Sequence, residues 1–317
     1  MGLDLLLLAL ALAFAVSIGA HYTGACMGMP LALGVVGERR ALLLMAPLAL
    51  LGAGLASQAV ERRVGAGLLQ HRLSLPAAAL VLALAFSLTT LYNRWRIPTS
   101  TIQLLVSCLI GVGLATGAGV RWGAALGLVV LWVVAPPLAA AAGFGLTLLL
   151  DRSPLGRWPQ LVRRGGAALL LIGLMASFSM GANDVANATG PLVSSRVLPL
   201  TAAGWAGGAG LALGVLSFGR PLLRRVAFDI VRVDRSMAAA AQLVQALVVL
   251  AAVSLGYFTS LNQALVGAMA GTGLARGRQT VRIGVLWGIL RGWALGPASG
   301  LVLGYGGAWL AGAWLRP

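Results

Sequence analysis

The sequence predicts an all-α polytopic membrane protein made of two repeats with broken helices. Three observations carry that expectation. Apolar residues make up 59% of the chain and charged residues only 9%, against about 25% charged in a soluble domain. Apolar runs long enough to cross a bilayer recur from end to end, where a single one would already suggest a transmembrane helix. Finally, the chain repeats itself. "TSTIQLLVSCLIGVGLATG" (99–117) matches "TSLNQALVGAMAGTGLARG" (259–277) at 10 of 19 positions, at an offset of 160 residues. "SIGAHYTGACMG" (17–28) shares its Ser, Gly-Ala and final Gly with "SMGANDVANATG" (179–190) at an offset of 162. Two motif pairs in one order at nearly one offset divide the chain into a first repeat over 1–150, a linker over 151–166 and a second repeat over 167–317.

The elements follow in order. Apolar blocks fall at 3–20, 41–60, 76–92, 97–117 and 122–150, then at 167–182, 197–219, 237–258, 259–275 and 283–315. At about 20 residues per span they predict about ten to twelve membrane segments. The first block lacks a positive leader and follows Asp4, so a retained span is expected rather than a cleaved signal. Pro136-Pro137 predicts a kink or a pair of helices within 122–150, and the last block is too long for one straight span. "DRSPLGRWPQLVRRGG" reads as the polar linker between repeats. "RPLLRRVAFDIVRVDRS" (220–236) mixes Arg with apolar residues at helical spacing and predicts a segment at the membrane surface. Arg291, embedded in the last block, would snorkel or pair. Cys26 and Cys108 lie inside apolar segments and read as buried thiols.

The net charge of +16 would suggest nucleic acid in a soluble protein. Here all 23 basic residues are Arg and most lie in short loops, the ordinary bias of membrane proteins, so no nucleic-acid partner is expected. Two His and seven acidic residues are too few to suggest a metal site. No nucleophile–base pair is visible, so an enzyme is not expected, and no cofactor is implied.

The repeated motifs are polar where lipid should be. Irregular backbone survives in a bilayer only where it lines a cavity. Gly-Ala-Asn-Asp and Thr-Ser are poor helix interiors but good caps. Each motif therefore predicts a break between two half-helices, and paired discontinuous helices meeting near the midplane are the usual construction of a transporter site. Half-helix N-termini offer free N–H groups and partial positive charge. Ser and Thr add donors without adding charge, which suits a small oxyanion.

"GANDVANATGP" (181–191) resembles the signature of the inorganic phosphate transporter (PiT) superfamily, and "PTSTIQLLV" (98–106) and "TSLNQALVGA" (259–268) resemble its other repeated motif. The resemblance covers nearly the whole chain. It implies two inverted-topology repeats, re-entrant helical hairpins, a homodimer in the lipid bilayer and cation-coupled uptake of a tetrahedral oxyanion. The departures are informative. The family carries Asn-Asp in both repeats, whereas the first repeat here reads His21-Tyr22 opposite Asn183-Asp184. The family's Ser-Thr-Thr-His becomes Ser100-Thr101-Ile102-Gln103 and Ser260-Leu261-Asn262-Gln263. That pattern is most similar to the sulfate permease branch, in the plasma membrane of a bacterium or archaeon.

Physics points the same way. Phosphate keeps a proton near neutral pH, its second pKa being about 6, and gains from a carboxylate acceptor. Sulfate only accepts, so its ideal site is all donors. Losing a carboxylate also removes a sodium ligand, which favours proton coupling. Phosphate transport with sodium or protons, and an uncoupled anion channel, are the competing expectations.

The candidate substrate-binding residues are Ser100, Thr101, Gln103, Ser260, Asn262, Gln263, Asn183 and Asn187, with the Gly-Ala steps Gly19-Ala20 and Gly181-Ala182. Asp184 is the only acidic residue well inside an apolar motif and is the expected coupling group. His21, its near-equivalent in the first repeat, is the expected second carrier. The other acidic residues, Asp4, Glu38, Glu61, Asp151, Asp229 and Asp234, are expected at ends or in Arg-bearing loops, and His71 in a solvated loop.

Overall fold

The computed structural model describes residues 2–95, 99–152, 166–225, 234–277, 281 and 283–312. The linker expected over 151–166 falls largely outside them, and so do residues 226–233 of the surface segment expected over 220–236. Twelve helices are described: α1 (Gly2–His21), α2 (Thr23–Ala32), α3 (Glu38–Ala56), α4 (Gln58–Ala66), α5 (Leu75–Trp95), α6 (Thr101–Thr116), α7 (Trp122–Arg152), α8 (Ala167–Ser194), α9 (Leu200–Arg225), α10 (Arg235–Ser254), α11 (Leu261–Arg276) and α12 (Ile283–Ala311). Seven runs among the described residues are long and apolar enough to cross a membrane, with α1 and α2 counted as one run.

The internal repeat is visible in the helices. The α1–α2 run corresponds to α8, α3 to α9, α5–α6 to α10–α11 and α7 to α12. Helices α5 and α6 form one hairpin and α10 and α11 the other. The first packs on α1 and α12, the second on α8 and α7.

Both hairpin tips break where the Thr-Ser motifs predict. Ser100 is extended (φ −104°, ψ 117°) and its hydroxyl caps α6 by accepting from Gln103 N–H; Ser260 (φ −82°, ψ 115°) caps α11 by accepting from Gln263 N–H. Capping satisfies one of the orphan donors that every helix start carries.

The Gly-Ala motifs behave differently. In the first repeat only Tyr22 interrupts the helix (φ −96°, ψ 3°). In the second, α8 runs unbroken through Gly181–Pro191, so the half-helix break expected there is not present. The reason is packing. A Cβ on Gly181 would sit 2.0 Å from Ala49 O on α3, and one on Gly19 would sit 2.0 Å from Leu211 O on α9. Gly52 and Gly214 make the reciprocal approaches to α8 and α1, at 2.0 and 1.9 Å. These glycines let backbones cross in contact, as small residues do at membrane-helix interfaces. Two serines of α8 bond within the helix, Ser177 Oγ donating to Gly173 O at 2.7 Å and Ser179 Oγ to Met175 O at 2.8 Å.

Pro136-Pro137 and the long last block likewise stay within single helices, α7 of 31 residues and α12 of 29. At 1.5 Å per residue each is about 45 Å long, which a membrane accommodates by tilt or by helix ends beyond the hydrocarbon. The two ends of the molecule are fastened differently. At one, Arg276 pairs with Asp151 (2.6 Å) and Asp234 (3.2 Å), and Glu38 pairs with Arg220 and Arg224. At the other, residues 68–71 run antiparallel to 118–121.

Candidate functional site

The two hairpin tips meet the middle of α8 and the Tyr22 step in the core of the molecule. Asn183 clamps the second tip: its Nδ2 donates to Thr259 O at 2.8 Å and its Oδ1 accepts Thr259 N–H at 3.1 Å. The first repeat cannot repeat that clamp, because His21 stands where Asn183 does. Instead Asn262 Nδ2 lies 3.0 Å from His21 Nε2 and donates to Thr99 O at 3.4 Å, so the second hairpin helps to hold the first. The His21 ring meets the Tyr22 ring edge to face at 4.8 Å.

Asp184 lies between the tips, fully buried. Asn187 Nδ2 donates to Asp184 Oδ1 at 3.3 Å and reaches Thr101 Oγ1 at 3.2 Å. Tyr22 Oη is 2.9 Å from Thr101 Oγ1. The centre is thus a chain of neutral donors, Tyr22, Thr101 and Asn187, around one carboxylate. The Ser100 and Ser260 caps point two buried helix N-termini into the same region. Among the described residues Asp184 Oδ2, Asn187 Oδ1, Thr99 Oγ1 and Thr259 Oγ1 are buried without a hydrogen-bond partner. Such orphaned atoms are costly unless a ligand, ion or water completes them.

The candidate set divides in two. Ser100, Thr101, Ser260, Asn262, Asn183, Asp184, Asn187 and His21 gather around the tips. Gln103 and Gln263 line a 640 Å³ cavity between α6, α7, α11 and α12, together with Trp132 and Trp293. Gly19 and Gly181 serve the helix crossings described above, and Ala20 and Ala182 are buried beside them.

Two residues were missed. Tyr22, which the offset of 162 already sets opposite Asp184, was not among the expected site residues. Glu61 is the harder case. It was expected in an Arg-bearing loop, yet it is fully buried on α4 and accepts from Thr189 Oγ1 of α8 at 2.6 Å. Its flanking Arg62 and Arg63 disguise a helix that turns one face inward.

Paired hairpins, apposed helix N-termini and a buried polar centre define a membrane transporter of the two-repeat class. The chain belongs to the phosphate transporter family, whose profile matches residues 18–165 and 159–304, once per repeat. It is accordingly an anion transporter and not an enzyme. It is 29% identical over 314 residues to the sulfate permease CysP of Bacillus subtilis (strain 168), covering 96% of this chain and 86% of that one. It is 30% identical over 323 residues to the "Probable low-affinity inorganic phosphate transporter" of Mycobacterium tuberculosis (strain ATCC 25618 / H37Rv), covering 94% and 75%. Its fold matches a solved structure described as the sodium-dependent phosphate transporter with a TM-score of 0.86 and 24% identity, over 98% of this chain and 99% of that one.

Proposed function

We propose that this protein imports sulfate, coupled to protons, with Asp184 as a coupling group. The observation that carries the reading is the exchange of a carboxylate for Tyr22 on the first-repeat side. A phenol hydroxyl can donate where a carboxylate only accepts, and it stands 2.9 Å from Thr101 Oγ1 at the tip of the first hairpin. A site rich in neutral donors fits an anion that carries no proton. Asp184 then remains the one carboxylate at the centre able to take and release a proton on each cycle. A relative named a sulfate permease, matched over 96% of this chain and 86% of its own length, supports the same substrate.

Phosphate is the second reading, favoured by Asp184 Oδ2 and Asn187 Oδ1. These unpartnered acceptors could take the proton that phosphate retains. Uptake of labelled sulfate and phosphate into proteoliposomes, under an imposed pH gradient and separately under a sodium gradient, tests the proposal. Proton-driven sulfate accumulation is expected. Phosphate outcompeting sulfate, or a requirement for sodium, would overturn it. The repeats over 1–150 and 167–317 would form the two halves of one transport unit. A homodimer in the plasma membrane of a bacterium or archaeon completes the proposal.

A further inference from the structure

Residues 68–71 and 118–121 are locked together by backbone hydrogen bonds: Gln70 N–H donates to Gly119 O (3.1 Å), His71 N–H to Ala118 O (2.9 Å) and Arg121 N–H to Leu68 O (2.9 Å). Gly117 and Gly119 take left-handed backbone (φ 77° and 69°), which lets the second strand turn into this register. The result is a fixed platform carrying Arg72 and Arg121. With Gln70 and His71 they line a 210 Å³ pocket whose walls come from the first hairpin and from Pro191 and Ser194 at the end of α8. Among the described residues, neither Arg pairs with a carboxylate. Like charges gathered on one rigid pocket repel one another unless an anion sits between them.

The side of the membrane matters. At the opposite end the described residues over 33–40, 152, 220–225, 234–235 and 276–277 carry two, one, three, one and one Arg, eight in all. Among the described residues, Arg62, Arg63, Arg72, Arg121 and Arg196 are the five that belong to the helix ends and connections on the pocket's side. Positive charge is retained on the cytoplasmic side, so the pocket faces outward. Loop topology bias therefore does not account for its charge. The pocket also touches the transport machinery. Ser194 is ten residues beyond Asp184 on the same helix, about 15 Å at 1.5 Å per residue.

We propose that the Arg72–Arg121 pocket is an external capture site for a tetrahedral oxyanion, a free anion on its way to the hairpin tips. This rests on the reading that the protein imports such an anion. A cationic pocket with low-dielectric walls concentrates anions at the mouth of a path and raises their rate of arrival. The contribution is electrostatic, so salt screens it over a Debye length of about 10 Å at 0.1 M. Sulfate and phosphate both carry the chemistry the pocket recognises. So does a lipid phosphate headgroup, and the test separates the sources.

The test compares wild type with the Arg72→Gln/Arg121→Gln double variant. Both are reconstituted in wholly phosphatidylcholine vesicles and assayed for sulfate and phosphate uptake from each face. From the pocket's face the double variant should show a KM raised about five- to tenfold with kcat within about twofold, and should lose the wild type's steep dependence on ionic strength. Transport from the opposite face should keep its KM. Unchanged KM, or an equal change from both faces, would overturn the capture site. An effect that appears only when anionic lipid is added would assign the pocket to a headgroup and overturn it too. Equilibrium dialysis of labelled sulfate onto the detergent-purified proteins separates this proposal from the reading beneath it. If wild type binds sulfate with a component that the double variant lacks, yet neither anion is transported, the import reading fails and the pocket stands.

Discussion

Asp184 and Tyr22 occupy the same place in the two repeats, and an ordinary carboxyl is ionised at neutral pH where an ordinary phenol is not. Sulfate brings two negative charges into a site where charge is costly to bury, and a negative-inside potential opposes it further. A proton on Asp184 offsets part of that cost. Asp184→Asn imitates the protonated form and cannot titrate. It should bind sulfate, exchange it down its own gradient, and reach an inside-to-outside ratio of only about one under a pH gradient when this intramembrane group no longer titrates. Full proton-driven accumulation by this variant would make Asp184 a structural residue. The hairpin caps offer a second measurement. Ser100→Ala and Ser260→Ala should each weaken sulfate binding by roughly 1–2 kcal/mol, typical of a hydrogen bond to a charged group. An unchanged Kd in the double Ala variant would show both hydroxyls to be caps alone. Most of this centre was legible in the sequence, because the repeat offset pairs residues without any structure. Glu61 was not, because one inward-facing carboxylate in "QAVERRV" has no periodic apolar partner to reveal its burial.

At the scale of elements, the Thr-Ser breaks were legible and the Gly-Ala break was misread, for one physical reason. A cap is local chemistry: Ser100 and Ser260 bond N–H groups three residues on, and sequence shows that spacing. A glycine that permits a close crossing is explained by another helix, which sequence hides. Gly181→Leu should therefore lower the melting temperature in detergent sharply, since overpacking costs about 1–3 kcal/mol or more and Ala49 O leaves no space. Gly145→Ala, on an open face of α7, should leave the melting temperature unchanged. Comparable melting of both variants would refute the packing role. The cap of α10 adds a pH prediction. Burial raises the Asp234 pKa, but Met237 N–H, Ser236 and the Arg276 charge outweigh it and hold the carboxylate below its ordinary value. A depressed carboxylate contributes stability that is present above about pH 4 and lost as pH falls through its own lower pKa. Asp234→Ala should cost about 1 kcal/mol near neutral pH. The gap to wild type should close on acidification; a gap that persists at low pH would place the effect elsewhere.

At the scale of the whole molecule, an inverted repeat leaves orientation undecided by shape, since each half presents to one side what the other presents to the opposite side. Charge must decide it. The end that holds Glu38, Asp151 and Asp234 with their Arg partners carries eight Arg among the described residues against five at the other, and the positive-inside bias predicts that it faces the cytoplasm. Both native thiols are buried, so the wild type offers a membrane-impermeant maleimide almost no background. Gly123 begins α7 beside the Arg121 platform and Gly37 precedes α3 at the other end; both are exposed, with open space where a side chain would go. Gly123→Cys should label from outside intact cells. Gly37→Cys should label only in inverted vesicles or after permeabilisation. The reverse pattern would place the Arg72–Arg121 pocket in the cytoplasm, where it would meet the anion on release rather than on arrival.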